Sequence, residues 1–149
     1  MKDIKRILCA VDFSEATGKV AGWAAYLGRR LGAEVLLLYV VPDMARYQDF
    51  QVSAGYITGF EREIMNGARL NMEDCLNTCL QGQEAQGLVV MGDAAQQILA
   101  VAAEHKADLI VIGTHGRKGL DRIIFGSVAD QVVKTSPVPV LTVRPYEKA

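Results

Sequence analysis

No apolar run in this chain approaches the ~20 residues needed to cross a bilayer. Runs such as Val35 to Val41 and Leu109 to Ile112 are far shorter. A signal-peptide pattern is missing as well, because Met1-Lys2-Asp3-Ile4-Lys5-Arg6 leads into a short apolar run with a charge soon after it. These absences give the expectation of a cytoplasmic protein that does not insert into membranes. Excess charge of either sign is also lacking. Sixteen basic and seventeen acidic residues leave a formal charge of -1, so no general attraction to a polyanion operates and nucleic acid is not an expected partner.

Cysteine and histidine are scarce. Three cysteines at irregular spacing do not form a disulfide framework. Cys9 sits in an apolar run and reads as core. Cys75 and Cys79, four apart, would share one helix face. The two histidines, His105 and His115, do not complete a zinc-type ligand set with them, so the thiols read as packing residues and no metal site is expected. Neither G-x-x-x-x-G-K-[ST] nor any pair of glycines separated by one residue occurs. That removes the P-loop and the dinucleotide fingerprint.

The 149 residues are 50% hydrophobic and 22% charged, values of an ordinary globular chain able to bury its own core, and we read residues 1–149 as one domain. Ile4 to Val11 reads as a buried strand. From Ser14, a fitting N-cap, to Leu31 the residues Val20, Trp23, Ala24, Leu27 and Leu31 recur at helical spacing, and Gly32 is the stop. Glu34 to Val41 is a second strand, ended by Pro42. After a loop over residues 43–55, the spacing predicts a long helix from Tyr56 to Leu80 with Ile57, Phe60, Ile64, Ala68 and Met72 on one stripe. Leu88 to Met91 is a third strand. Ala94 to His105 reads as a helix with Ile98, Leu99, Val101 and Ala102 apolar, and Asp108 to Ile112 as a strand. Ser127 to Thr135 is predicted helical with Val128, Val132 and Val133 inward, and Val138 to Val143 is the last strand.

Strands that alternate with helices and carry almost no polar interruption imply a parallel sheet covered on both faces. In such α/β sheets ligands sit beyond the carboxyl ends of the strands, where the strand order reverses. The loops starting near Asp12, Pro42, Gly92 and Thr114 lie at that edge.

The segment Gly113-Thr114-His115-Gly116-Arg117-Lys118-Gly119-Leu120-Asp121-Arg122-Ile123-Ile124-Phe125-Gly126-Ser127 carries the most chemistry. It runs from a strand end to a helix start. Glycines there permit positive φ and close backbone approach, and the unpaired amides of a helix start favour anions. Ser127 adds a hydroxyl, and Arg117, Lys118 and Arg122 add charge attractive to polyphosphate. The segment reads as a phosphate-binding loop. Taken alone, its glycines could equally serve only to turn the chain.

The spacing Gly113-x2-Gly116-x9-Gly126-Ser127 resembles the ATP-binding signature of the universal stress protein family. The flanks Asp108 to Gly113 and Ser136 to Leu141 are similar to it too, and the likeness runs from Ile4-Lys5-Arg6-Ile7-Leu8-Cys9-Ala10-Val11-Asp12-Phe13-Ser14 to Arg144-Pro145. This resemblance implies an open five-stranded parallel sheet in the order 3-2-1-4-5, of the adenine-nucleotide alpha-hydrolase-like type. It implies that Asp12 and Ser14 face the glycine loop, with Asp12 at the nucleoside. The backbone around Val40 and Val41 would border the adenine, and Gly113, Gly116, Gly126, Ser127 and Val128 would hold ribose and phosphates. His115 and Arg117 are candidate phosphate contacts. Asp12 also has a plain reading as a strand-end turn residue. Ala94 departs from the pattern, since many relatives have proline there.

The function expected on this resemblance is ATP binding, with ADP or AMP as alternatives and Mg2+ as companion, in a nucleotide-dependent regulatory or stress-response protein. No base for activating water is visible, so binding is expected rather than catalysis. A slow ATPase or phosphotransfer enzyme and a nucleotide-free interaction scaffold are the alternatives. The resemblance also places Val138 to Val143 at a sheet edge, which leads to an expected homodimer. A protein client is a further partner compatible with the reading.

Overall fold

In the computed structural model, which describes residues 2–43, 54–114 and 126–144, strands and helices alternate along the chain. They are β1 (Arg6–Ala10), α1 (Thr17–Leu31), β2 (Glu34–Pro42), α2 (Ala54–Cys79), β3 (Ala85–Gly92), α3 (Ala94–Glu104), β4 (Leu109–Gly113), α4 (Ser127–Thr135) and β5 (Val140–Val143). All four strand pairings are parallel, in the order β3-β2-β1-β4-β5. The expected α/β architecture and strand order are therefore present. Its switch point lies between β1 and β4, because the chain leaves β1 toward β2 on one side and returns to β4 on the other.

The period-two alternation of strand side chains divides the core into two layers. Ile7, Cys9, Val35, Leu37, Leu109 and Val111 face α1 and α2. Leu8, Leu36, Leu38, Ile110 and Ile112 face α3 and α4. Each fully buried Leu or Ile contributes about 1.5–3 kcal/mol, so the three central strands, apolar on both faces, dominate the stability of the sheet.

Three of the helical stripes differ from the sequence expectation. Helix α1 buries Thr17, Val20, Ala21, Ala24, Ala25 and Gly28, while Trp23 and Leu31 are exposed. The sheet lies close enough that small residues make the contact: a Cβ on Gly28 would lie 2.8 Å from Val35 Cγ2. Large side chains are turned outward for the same reason. In α4, Ala129 and Val132 are buried whereas Val133 is exposed. In α2, Ala68 and Met72 are buried as the stripe requires, but Phe60 is exposed.

Helix ends also shift. The residue at the N-cap of α1 is Ala16, with no side-chain cap. Ser14 instead closes a turn before the helix, its hydroxyl accepting from the Ala16 amide at 3.2 Å and its carbonyl from the Thr17 amide at 3.0 Å. Gly32 is the stop expected, with φ 64°. Strand β3 starts at Ala85, three residues before the predicted start, through a segment where Gly87 lies against Met72 and Leu76. Strands β1 and β5 are shorter than predicted. Most of the loop predicted over residues 43–55, and the side chain of Ile57, lie outside what the structure describes.

The cysteines are packing residues. Cys9 is fully buried, and that burial pushes its thiol pKa well above the ordinary range. Burial, with Cys79 and Asp74 nearby, pushes Cys75 up to about 12. Thiols held neutral at physiological pH are poor nucleophiles and poor ligands. Among the described residues no cluster suited to a metal ion occurs.

Candidate functional site

A cavity of about 310 Å³ opens at the carboxyl ends of β1, β2 and β4, at the switch point, and is bordered by the first turns of α1, α3 and α4. Its volume is in the range of small-molecule sites, about 300–1,000 Å³. Leu38, Val40, Ile98 and Ile112, of the core layer formed with α3 and α4, give the cavity an apolar wall. Its polar lining residues are Asp12, Thr17, Thr114 and Ser127.

Asp12 lies just past β1, where the ladder ends with the Val11 amide donating to the Leu38 carbonyl at 2.9 Å. Its Oδ1 accepts from the Ser14 amide at 2.9 Å, the two-residue turn that aspartate forms with its own backbone. The same oxygen accepts from the Thr17 hydroxyl at 3.4 Å. Asp12 therefore makes the strand-end turn and lines the cavity at once. It is the one carboxylate among the described lining residues.

The other polar element is the start of α4. Gly126 occupies the N-cap with no side-chain cap, and the amides of Ser127 and Val128 have no partner among the described residues. Such orphan donors, with the positive end of the helix dipole, suit an anion. Gly126 itself has φ -59°, so its lack of a side chain serves close approach rather than an unusual backbone angle. Its amide donates to the Thr114 carbonyl at 2.7 Å.

Six of the sequence-predicted site residues thus meet in one cavity: Asp12, Val40, Gly113, Gly126, Ser127 and Val128. Two do not line it. Val41 points into the core with no exposed surface, since the strand alternation that turns Val40 toward the site turns its neighbour away. Ser14 is engaged in the turn before α1. His115, Gly116 and Arg117, with Lys118 and Arg122, lie outside the described residues.

Sequence reasoning missed Thr17 and read Ala94 only as a departure from the family pattern, yet both line the cavity. Thr17 is a polar residue on the buried stripe of α1, a signal that was present once that stripe is correctly phased. Ala94 opens α3 directly after Asp93, whose carboxylate caps the helix by accepting from the Gln96 amide at 3.0 Å.

The universal stress protein family model matches residues 3–144. The chain belongs to the universal stress protein family. Among curated relatives, the universal stress protein MJ0531 of Methanocaldococcus jannaschii is 31% identical, over 97% of this chain and 84% of its own length. The universal stress protein MJ0577 of the same archaeon is 30% identical over 94% of each chain. Its solved structure superposes with a TM-score of 0.84 and covers 99% of this chain and 100% of that one. A universal stress protein from Archaeoglobus fulgidus, solved in complex with dAMP, is similar with a TM-score of 0.67 at 22% identity, covering 95% of this chain and 98% of its own.

Proposed function

We propose that this universal stress protein binds an adenine nucleotide in the switch-point cavity, ATP first and ADP or AMP as alternatives, and acts as a nucleotide-dependent regulatory or stress-response protein. One observation carries the reading: an apolar wall, a carboxylate and an uncapped helix start converge on a single cavity. Those are the three surfaces that a base, a sugar and a phosphate chain require. The dAMP complex of the Archaeoglobus relative supports the choice of adenine.

The residues present fit the ligand. The amides of Ser127 and Val128 would receive phosphate oxygens, the Ser127 hydroxyl would add a further donor, and Asp12 would accept from a sugar hydroxyl. Val40 and Ile98 would flank the base. Magnesium would travel with the phosphates, which together with water supply most of its ligands in such sites. Binding rather than turnover is proposed, because the rim offers phosphate donors without a histidine, or a second carboxylate beside Asp12, to activate water among the described lining residues. A homodimer through the last strand and a cytoplasmic location belong to the same proposal.

Calorimetric titration of the purified chain with Mg-ATP, ADP, AMP and GTP tests it. The adenine nucleotides should bind and GTP should bind more weakly. If no adenine nucleotide binds, the proposal fails.

A further inference from the structure

We propose that Thr17 is a positioning residue for Asp12, holding that carboxylate so that its second oxygen addresses the bound nucleotide. The inference rests on the nucleotide-binding reading of the cavity and adds to it a residue that makes the site precise.

Thr17 is one of two polar side chains buried among the described residues, at 8% exposure. It stands on a stripe of α1 otherwise made of small apolar residues, Val20, Ala21, Ala24 and Ala25. A hydroxyl buried there is unfavourable unless it finds a hydrogen-bond partner. Its partner is Asp12 Oδ1 at 3.4 Å, a long bond that the Ser14 amide reinforces on the same oxygen at 2.9 Å. Both donors thus act on one oxygen. Oδ2 has no partner among the described residues, on a side chain that is exposed and borders the cavity. Two donors converging from separate points hinder rotation of a carboxylate that otherwise moves among rotamers.

The backbone between the two residues is fixed as well. Phe13 has φ 58°, a left-handed conformation unusual for a bulky side chain and retained only where the surroundings hold it. Its ring packs against Tyr39 with centroids 4.5 Å apart. That contact anchors the turn on β2, and both Asp12 and Thr17 line the cavity.

Titration with Mg-ATP of wild type, Thr17→Val, Thr17→Ser, Asp12→Asn and the Thr17→Val/Asp12→Asn double variant tests the assignment. Thr17→Val, which keeps the shape and loses the donor, should weaken binding about five- to tenfold. Thr17→Ser should retain affinity within about twofold, and Thr17→Val should add nothing in the Asp12→Asn background. Thr17→Ala replaces Thr17→Val if the latter does not melt as a folded protein. Equal losses in both backgrounds, or no loss at all, would overturn the positioning role while leaving nucleotide binding intact. A wild-type chain that binds no nucleotide overturns both, and the wild-type titration alone reveals that case.

Discussion

The amide of Gly126 donates to the carbonyl of Thr114 at 2.7 Å, and a Cβ built on Gly126 would lie 3.1 Å from that same oxygen. The two residues therefore form a narrow neck between the end of β4 and the start of α4, and the neck tolerates no side chain without yielding. Ala can adopt φ -59°, so the obstacle is space rather than conformation. Gly126→Ala should cost about 1 kcal/mol of stability and weaken Mg-ATP binding more than the stability loss explains, because the α4 amides shift with the neck. Chemical unfolding with and without ligand separates the two effects. Equal affinity in both proteins would refute the neck's role.

Saturating Mg-ATP should stabilise the wild type by about 2.7 kcal/mol when free ligand is 100 times its dissociation constant. Ser127→Ala removes one hydroxyl at the start of α4 and should reduce the binding free energy by about 0.5–1.5 kcal/mol. Turnover should stay well below the ~1–10³ per second of ordinary enzymes. Phosphate release at tens per second would contradict a binding role.

In the sheet, Gly87→Ala should destabilise the protein by about 1–3 kcal/mol through overpacking. A Cβ at this position would lie 3.0 Å from Leu76 Cδ1 and from Met72 Sδ, and closer still to Met72 Cγ. Helix α2 thus sits directly on β3 at this point. Met72→Ala in the Gly87→Ala background should recover part of the loss, and additive losses would show that the two positions do not share the contact.

Gly87 also marks where the sequence was least legible. Gln86 and Gly87 interrupt the apolar pattern of β3, so only its second half was readable. Elsewhere the continuous apolar strands revealed the parallel sheet, and the chemistry of Gly126-Ser127 at a helix start was visible from residue type alone. Helical phase was harder. In α1 the alanines at 21, 24 and 25 face the sheet because the backbones approach closely, and a hydrophobicity pattern led by Trp23 and Leu31 points the wrong way. The same misphasing hid Thr17. The resemblance places the backbone around Val40 and Val41 at the adenine, and strand alternation turns only the Val40 side chain to the cavity while that of Val41 enters the core.

The last strand gives a test of assembly. The Pro139 and Val143 carbonyls accept from the Ile110 and Thr114 amides, so alternate residues 139, 141 and 143 face β4. Backbone groups of Val140 and Thr142 then face the open edge. Thr142→Pro removes a donor from that edge without touching the β4 ladder. Light scattering of the wild type should give twice the 16.2 kDa chain mass, and Thr142→Pro should shift it toward the monomer at unchanged secondary structure. A wild-type monomer at micromolar concentration would refute pairing through this edge.

At the opposite end of the sheet, Asp108 fastens β4 to the start of β1. Its Oδ2 accepts from the Lys5 amide at 2.9 Å and the Arg6 amide at 3.1 Å, and Lys2 Nζ lies 3.2 Å from Oδ1. The Lys5 amide is the main cause of a pKa held below the ordinary carboxylate value, with Lys2 and the Arg6 amide adding to it and burial opposing. A lowered folded-state pKa means that the unfolded chain takes up the proton first as pH falls. The stabilisation is therefore complete above the unfolded value of about 3.9 and is lost as pH drops through the folded value. Asp108→Asn should cost about 1.5–3 kcal/mol at pH 7, the range for hydrogen bonds to a charged group. Urea unfolding across the acid range should show the gap between wild type and variant narrowing below about pH 4. A gap unchanged between neutral and acid pH would show that the charge on Asp108 contributes nothing, and no gap at pH 7 would show that the Asn amide oxygen serves the Lys5 and Arg6 amides equally well.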